Sequence, residues 1–221
     1  MIIDNTIIKH YLKNVLFING TAYSGKSTMV KMLADKYGLI HCGENYDCVP
    51  ESVKTPERFP GLCYFQTMRD WQEFVNRTPE EYAKWIDDSS REVEQFEIAY
   101  LIRISHSRRV IVDTNIHIDV LREIADFNQV AIMLSPQSMS VDHFFDRDDE
   151  EKAFIKARIM EAENPEKTME NFRACMARVN SQEAYDEFAN SGFFTIVRKE
   201  AASDTKTETL EILAKHFGLA T

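Results

Sequence analysis

The chain has 221 residues, of which 44% are apolar, 11% aromatic and 28% charged, a composition typical of globular proteins and not of disordered chains. Its 26 basic and 36 acidic residues give a formal net charge of −10 at pH 7, so no summed positive field attracts nucleic acid or an anionic membrane. We therefore expect neither as a partner, and any anionic ligand must be held by a local site.

Membrane-spanning and targeting segments are not evident. The longest apolar stretches, such as residues 98–102 and 130–134, are far shorter than the roughly 20 residues that a bilayer span needs. Polar residues from Asp4 onward interrupt any apolar region of the signal-peptide type. The four cysteines lack the C-x-x-C spacing of a zinc or redox site. We expect a cytoplasmic protein with reduced thiols.

The first elements predicted along the chain are a helix before residue 14, a strand over 15–19 and a helix over 26–37 that ends at Gly38. Further apolar runs of strand length alternate with segments of helical periodicity, and they lie at residues 39–42, 109–113, 129–134 and 193–197. This alternation predicts an α/β fold, a three-layer sandwich in which helices cover both faces of a five-stranded parallel sheet.

Two long insertions interrupt the alternation. Residues 43–108 are too long for a simple crossover, and they contain predicted helices at about 64–76 and 79–105, the second beginning at a capping box from Thr78. Residues 135–192 separate the fourth and fifth strands. No composition shift marks a domain boundary, so we predict one domain over 1–221 with an acceptor-binding insertion and a lid insertion.

A glycine-rich motif lies between the first strand and the helix that follows it. It has the form G-x-x-x-x-G-K-S-T, and its residues are Gly20, Thr21, Ala22, Tyr23, Ser24, Gly25, Lys26, Ser27 and Thr28. In such a loop the backbone N–H groups and the helix N-terminus surround phosphate groups. Lys26 is expected to reach the β- and γ-phosphates and the Ser27 hydroxyl to bind Mg²⁺.

A second polar position follows the predicted strand over 109–113. The strand ends in Asp113 after a basic start at Arg108, the Walker B arrangement in which an aspartate orients magnesium. An aspartate at this position also suits a helix N-cap, and the pattern is weak by itself. Together with the glycine-rich motif it favours a metal ligand.

The order of these features resembles the small P-loop kinases, a family that includes nucleoside-monophosphate kinases and shikimate or gluconate kinases. The resemblance implies the P-loop NTPase fold with strand order 2-3-1-4-5, a helical lid, and Mg-ATP as the nucleotide bound near an adenine loop at 199–205. Arg147 followed by two aspartates, and then Arg158, resembles the family's lid motif with one residue missing. It implies that these arginines stabilise the transferring phosphoryl group.

In this family the turn after the second strand carries a carboxylate that orients the acceptor hydroxyl. Glu44 and Asp47 are the candidates here, and each could instead be a loop carboxylate or a helix cap. Monophosphate kinases also place an arginine shortly after this turn, whereas the nearest arginines here are Arg58 and Arg69. This difference favours an uncharged, hydroxyl-bearing acceptor. Most of the many aromatic residues nearby are expected to lie in the core, and a few could line the acceptor pocket.

The sequence therefore predicts an ATP-dependent kinase that phosphorylates a hydroxyl of a small molecule, such as a metabolite, nucleoside or antibiotic. Two alternatives remain open at this point. One is a nucleoside-monophosphate kinase, and the other is a nucleotide-binding sensor that transfers no phosphoryl group. Neither the acceptor nor the oligomeric state follows from the sequence.

Overall fold

The fold is built on a five-stranded, all-parallel sheet. The computed structural model describes residues 4–44, 46–142, 144–145, 150–198 and 205–220. The strands are β1 (Val15–Gly20), β2 (Ile40–Cys42), β3 (Val110–Asp113), β4 (Val130–Leu134) and β5 (Phe194–Val197), in the spatial order β2-β3-β1-β4-β5. The predicted α/β class, the parallel sheet and its strand order are confirmed.

Helices surround this sheet and fill most of the remaining chain. They are α1 (Asn5–Tyr11), α2 (Lys26–Tyr37), α3 (Tyr64–Thr67), α4 (Trp71–Val75), α5 (Pro79–Ile104), α6 (Ile118–Ile124), α7 (Gln137–Asp142), α8 (Glu150–Met160), α9 (Pro165–Val179), α10 (Gln182–Ala189) and α11 (Lys206–His216). Within the described residues, none of them combines the length and apolar character that crossing a bilayer requires.

The two faces of the sheet have separate cores because successive side chains of a strand point to opposite sides. On β1, Val15 and Phe17 pack with α5 and α6 on one face. Leu16 and Ile18 pack with α2 and α11 on the other. All four are buried, which is why the strand reads as a continuous apolar run and not as an alternating one.

The prediction of a single helix at about 64–76 is wrong, because this segment forms two short helices, α3 and α4. The backbone at Met68, the C-cap of α3, is extended (φ −60°, ψ 150°). The Asp70 side chain then accepts a hydrogen bond from the Glu73 N–H (3.0 Å) and starts α4. A new N-cap therefore interrupts the helical periodicity.

The start of α5 confirms the predicted capping box. The Glu81 N–H donates to the Thr78 hydroxyl (3.2 Å), and the Glu81 carboxylate accepts from the Thr78 N–H (2.9 Å). Pro79 occupies the first helical position, where a missing N–H removes no helical bond.

The chain forms two compact units. The first consists of Met1–Val49, Val93–Ser135 and Tyr185–Thr221 and contains the sheet; the second consists of Pro50–Glu92 and Pro136–Ala184, both taken from the predicted insertions. The second unit has its own core, formed by Tyr64, Phe74, Val75, Tyr82, Ile159, Phe172, Cys175 and Met176. Several aromatic residues that follow the predicted acceptor turn belong to this core or, like Trp71 and Trp85, pack against it.

Gly20 offers a test of how tightly the end of β1 is packed. Its φ is +129°, and a Cβ placed there would lie 2.0 Å from the Met133 carbonyl oxygen on β4. We predict that Gly20→Ala lowers the free energy of unfolding by about 2 kcal/mol or more, because it adds a backbone clash to the cost of the positive φ. Urea denaturation measures the change.

The matched control is Gly38→Ala. Gly38 also has a positive φ, +65°, but a Cβ there would meet nothing within 4 Å. We expect this variant to lose only about 1 kcal/mol from backbone strain. Equal losses in the two variants would contradict the close approach of β1 to β4.

Candidate functional site

The candidate site begins at the glycine loop, defined here as residues 20–25 between β1 and α2. Gly20, Tyr23 and Gly25 all have positive φ values, 129°, 64° and 94°, so the chain curls sharply before the helix begins at Lys26. Gly25 is the N-cap of α2 and supplies no side-chain cap. The N–H groups in the first turn of a helix have no intrahelical partners, and the helix dipole makes this end attractive to an anion.

Side chains from the two strands beyond β1 anchor the loop. Ser135, just after β4, donates its backbone N–H to the Thr21 hydroxyl (2.7 Å) and its own hydroxyl to the Ala22 carbonyl (2.6 Å). Arg198, just after β5, donates to the Tyr23 carbonyl (2.7 Å). These contacts hold the loop in one shape before any ligand binds, which reduces the entropic cost of binding.

Lys26 places a buried cation against this loop. Its side chain is 7% exposed, and its ammonium donates to the carbonyl oxygens of Gly20 (3.3 Å) and Thr21 (3.2 Å). In the described part of the chain it forms no ion pair with a carboxylate. Asp113 lies close enough for its charge to interact with Lys26, but no described carboxylate bonds the ammonium directly. A buried charge without a direct ion pair is costly, so the arrangement favours an anionic ligand beside Lys26.

Asp113 and Ser27 meet where β3 ends and α2 begins. The Ser27 hydroxyl donates to Oδ2 of Asp113 (2.6 Å), and Asp113 is 2% exposed. Its other oxygen, Oδ1, is buried with no hydrogen-bond partner. Burial raises the pKa of Asp113 and the Glu44 carboxylate raises it further, while Lys26, the Ser27 hydrogen bond and His41 lower it.

The unpartnered Oδ1 makes this pair suitable for a divalent cation. A carboxylate and a hydroxyl are donors that Mg²⁺ takes in proteins, its remaining positions being filled by water and phosphate oxygens. Among the described residues, no group of three or more His, Cys, Asp or Glu side chains could hold a metal alone.

The structure brings together some of the other predicted site residues and not all of them. Glu44 is exposed and close enough to Asp113 to raise its pKa, whereas Asp47 is exposed and is not among the groups acting on Asp113. Arg158 lies on α8 in the second unit, where it pairs with Glu161 (2.8 Å). Arg147 lies outside the described residues, as does most of the predicted adenine loop at 199–205.

A buried acidic group that the sequence analysis did not identify lies next to Asp113. Glu97, on α5, is 5% exposed, and burial raises its pKa to about 7. The Thr114 and Tyr46 hydroxyls lower the pKa, while Asp113 and Glu94 raise it. The signal was available, because Glu97 lies four residues before the buried Leu101 on the apolar face of α5.

A scan against models of known protein families finds none that matches this chain, and a search of curated proteins finds none with significant similarity.

Glu97 makes stability depend on pH in a defined direction. Its pKa is about 7 in the folded chain, above its ordinary value of 4.5. Between these two pH values the folded chain therefore keeps a proton on Glu97 that the unfolded chain has released. This contribution to stability is fully present below about pH 4.5 and is lost as the pH rises through about 7.

Glutamine cannot titrate. We therefore predict that the unfolding free energy of Glu97→Gln rises relative to that of the unaltered chain as the pH increases from 5 to 8. Urea denaturation of both proteins at each pH unit measures the difference in unfolding free energy. A difference that stays constant over this range would contradict the raised pKa that burial gives the Glu97 carboxyl group.

Proposed function

We propose that this chain is an ATP-dependent phosphotransferase of the small P-loop kinase type that phosphorylates a hydroxyl of a small molecule. The observation that most directly supports this function is the buried Lys26 ammonium, which lies against the glycine loop without a carboxylate partner in the described residues. A triphosphate would supply the missing negative charge. The Ser27–Asp113 pair beside it suits the magnesium that accompanies nucleotides.

In the proposed reaction the acceptor hydroxyl oxygen forms a bond to the γ-phosphorus of ATP, and the bond between that phosphorus and the β,γ-bridging oxygen breaks. The products are a phosphate ester, ADP and a proton. Phosphoryl transfer depends mainly on positioning and on electrostatic stabilisation of the phosphate oxygens. Lys26 and the N–H groups at the start of α2 would provide this stabilisation.

Magnesium would be held by Ser27 and Asp113, and the chemistry it supplies when bound is neutralisation of charge on the phosphate oxygens. We assign to Glu44 the orientation of the acceptor hydroxyl, because its carboxylate acts on Asp113 electrostatically. Asp47 remains the alternative. The roles proposed for Arg147 and Arg158, stabilisation of the transferring group, rest on the sequence pattern alone.

A nucleoside-monophosphate kinase has less support. It would need an arginine for the acceptor phosphate, and Arg69, one of the two nearest candidates, is bound to the Glu73 carboxylate (2.9 Å). The other, Arg58, lies over the Phe59 ring. No described contact favours a nucleotide-binding sensor. The experiment below distinguishes such a sensor from a kinase.

The first test is ADP formation from Mg-ATP with a panel of nucleosides, nucleoside monophosphates, sugars, shikimate, gluconate and hydroxylated antibiotics. We expect at least one acceptor to stimulate ADP formation, and Lys26→Ala to reduce that rate at least 100-fold, because the cation facing the phosphates is lost. The control is Lys31→Ala, which removes the same charge from an exposed position on the same helix.

Two outcomes would contradict the proposal. Lys26→Ala and Lys31→Ala could retain equal acceptor-dependent rates, which would exclude Lys26 from catalysis. ATP could instead bind without any acceptor increasing turnover, which would favour the sensor.

The metal-binding role of Asp113 has a separate test. We predict that Asp113→Asn retains the hydrogen bond from Ser27 but lowers turnover about 100-fold or more and raises the Mg²⁺ concentration needed for half-maximal rate. Asp35→Asn, at an exposed position on α2, should behave as the unaltered chain. An unchanged Mg²⁺ dependence in Asp113→Asn would contradict the assignment.

A further inference from the structure

Three buried polar atoms that make no hydrogen bond of good geometry lie together near the carboxyl ends of β2 and β3. They are the Tyr46 hydroxyl, Oε1 of Glu97 and Oδ1 of Asp113. Glu97 is close to both of the others, since the charge of Asp113 raises its pKa and the Tyr46 hydroxyl, within reach of a hydrogen bond, lowers it. Asp113 is accounted for by the proposed magnesium site, whereas Tyr46 and Glu97 are not.

An unpartnered polar atom of this kind is expensive in a folded protein. A buried donor or acceptor without a partner typically costs about 1–3 kcal/mol, and a charged group costs more. The same helix shows that the chain can satisfy a glutamate nearby. Glu94, one turn before Glu97 on α5, contacts Nδ1 of His117 (2.8 Å) and accepts from the His117 backbone N–H (3.3 Å).

The Tyr46 ring is packed between other side chains. It packs against Tyr100 of α5, with ring centroids 5.3 Å apart, and both rings pack against the core on that face of the sheet. A tyrosine hydroxyl can donate one hydrogen bond and accept another, while a carboxylate oxygen accepts. Together they match one alcohol group, which needs both an acceptor for its proton and a donor for its oxygen.

We propose that Glu97 and Tyr46 form the subsite for a hydroxyl of the phosphoryl acceptor, and that the acceptor is a neutral or positively charged hydroxylated molecule. In this subsite Oε1 of Glu97 accepts the hydrogen bond of the hydroxyl, and the Tyr46 hydroxyl donates to its oxygen. The inference rests on the proposed kinase function and specifies which substrates it accepts.

The charges around the subsite support the class of acceptor. Carboxylates approach it from three elements, with Glu94 and Glu97 on α5, Asp113 at the end of β3 and Glu44 in the loop after β2. Two described groups of positive character lie near it, Lys26 and His41 of β2, since both lower the pKa of Asp113. Lys26 lies against the glycine loop, where the proposed triphosphate would occupy it. Among the described groups, a phosphate carried by the acceptor would therefore meet mainly carboxylates, whereas an alcohol or an amine would not be repelled.

The experiment compares acceptors that differ only by a phosphate group, adenosine with AMP and glucose with glucose 6-phosphate, and adds the amino sugar kanamycin. ADP formation is measured in the unaltered chain, Glu97→Gln, Tyr46→Phe and the control Glu211→Gln, which alters an exposed carboxylate on α11. Lys26→Ala gives the background. Melting temperatures are measured with and without each acceptor, since this readout does not depend on turnover.

We expect at least one neutral or cationic probe to serve as acceptor, and its phosphorylated counterpart to fail. Glu97→Gln should raise the KM for the acceptor by about 10- to 100-fold, the loss expected for a hydrogen bond to a charged group. The KM for ATP should stay within about twofold, since the glycine loop is unaltered. Tyr46→Phe should show a smaller rise in the KM for the acceptor, and Glu211→Gln should show no rise.

Stability distinguishes a binding role from a structural one. A buried carboxylate kept for a ligand should cost stability in the free protein, so Glu97→Gln should retain or raise the melting temperature at pH 8. Glu94→Gln, which removes a partner of His117, should lower it. A fall in Glu97→Gln as large as that in Glu94→Gln would overturn the proposal.

The failure of each proposal has a different signature. Acceptor-dependent ADP formation confined to AMP or glucose 6-phosphate would overturn the subsite while supporting the kinase. Stabilisation by a neutral probe that Glu97→Gln abolishes, without ADP formation, would support the subsite and overturn the kinase. No turnover and no stabilisation by any neutral or cationic probe would overturn both.

Discussion

The hydrogen bond from Ser27 to Asp113 is the contact on which the geometry of the site depends. It joins the first turn of α2 to the end of β3, two elements that the chain connects only through more than 80 residues. Because β3 lies beside β1 in the sheet, the same bond fixes the start of α2 against the carboxyl end of β3. Lys26, one residue before Ser27, is thereby held over the loop carbonyls.

This arrangement separates two kinds of charge. Lys26 and the start of α2 are positive, and no described carboxylate bonds the Lys26 ammonium directly. Asp113, Glu97 and Glu44 form an acidic region close to them. An acidic chain of formal charge −10 thus contains a local region suited to an anion next to a region that would repel anions. A reaction between an anionic donor and an uncharged acceptor needs this combination, since the two ligands must be distinguished at close range.

The sheet was predictable because buried parallel strands are short apolar runs, and all five appear in the sequence within about a residue of their observed limits. The curled loop was predictable because its sequence, with two glycines and then lysine and serine, has the pattern of phosphate-binding loops that join a strand to a helix. The break at Met68 was not, since the helical period continues through the interruption and a single capping side chain, Asp70, decides it. Local pattern is a weak guide where one hydrogen bond selects between two backbone paths.

Contacts between residues far apart in the sequence could not be predicted from local patterns. Arg198 binds the glycine loop from a residue 175 positions away, and nothing in the local sequence indicates that contact. Glu97 is recognisable in the sequence as an acidic residue on the apolar face of a helix. Its proximity to Asp113, however, depends on how α5 packs against β3. Side chains that act through tertiary packing require the structure, whereas those within a continuous loop do not.

The measurement that most directly tests the central claim is calorimetric titration of ATP, with and without Mg²⁺, into the unaltered chain and into Lys26→Ala. We expect one ATP to bind per chain, more tightly with magnesium, and an affinity at least tenfold weaker in Lys26→Ala, because the variant loses the buried cation that faces the phosphates. Equal affinity in the two proteins, or no binding of ATP by the unaltered chain, would contradict it.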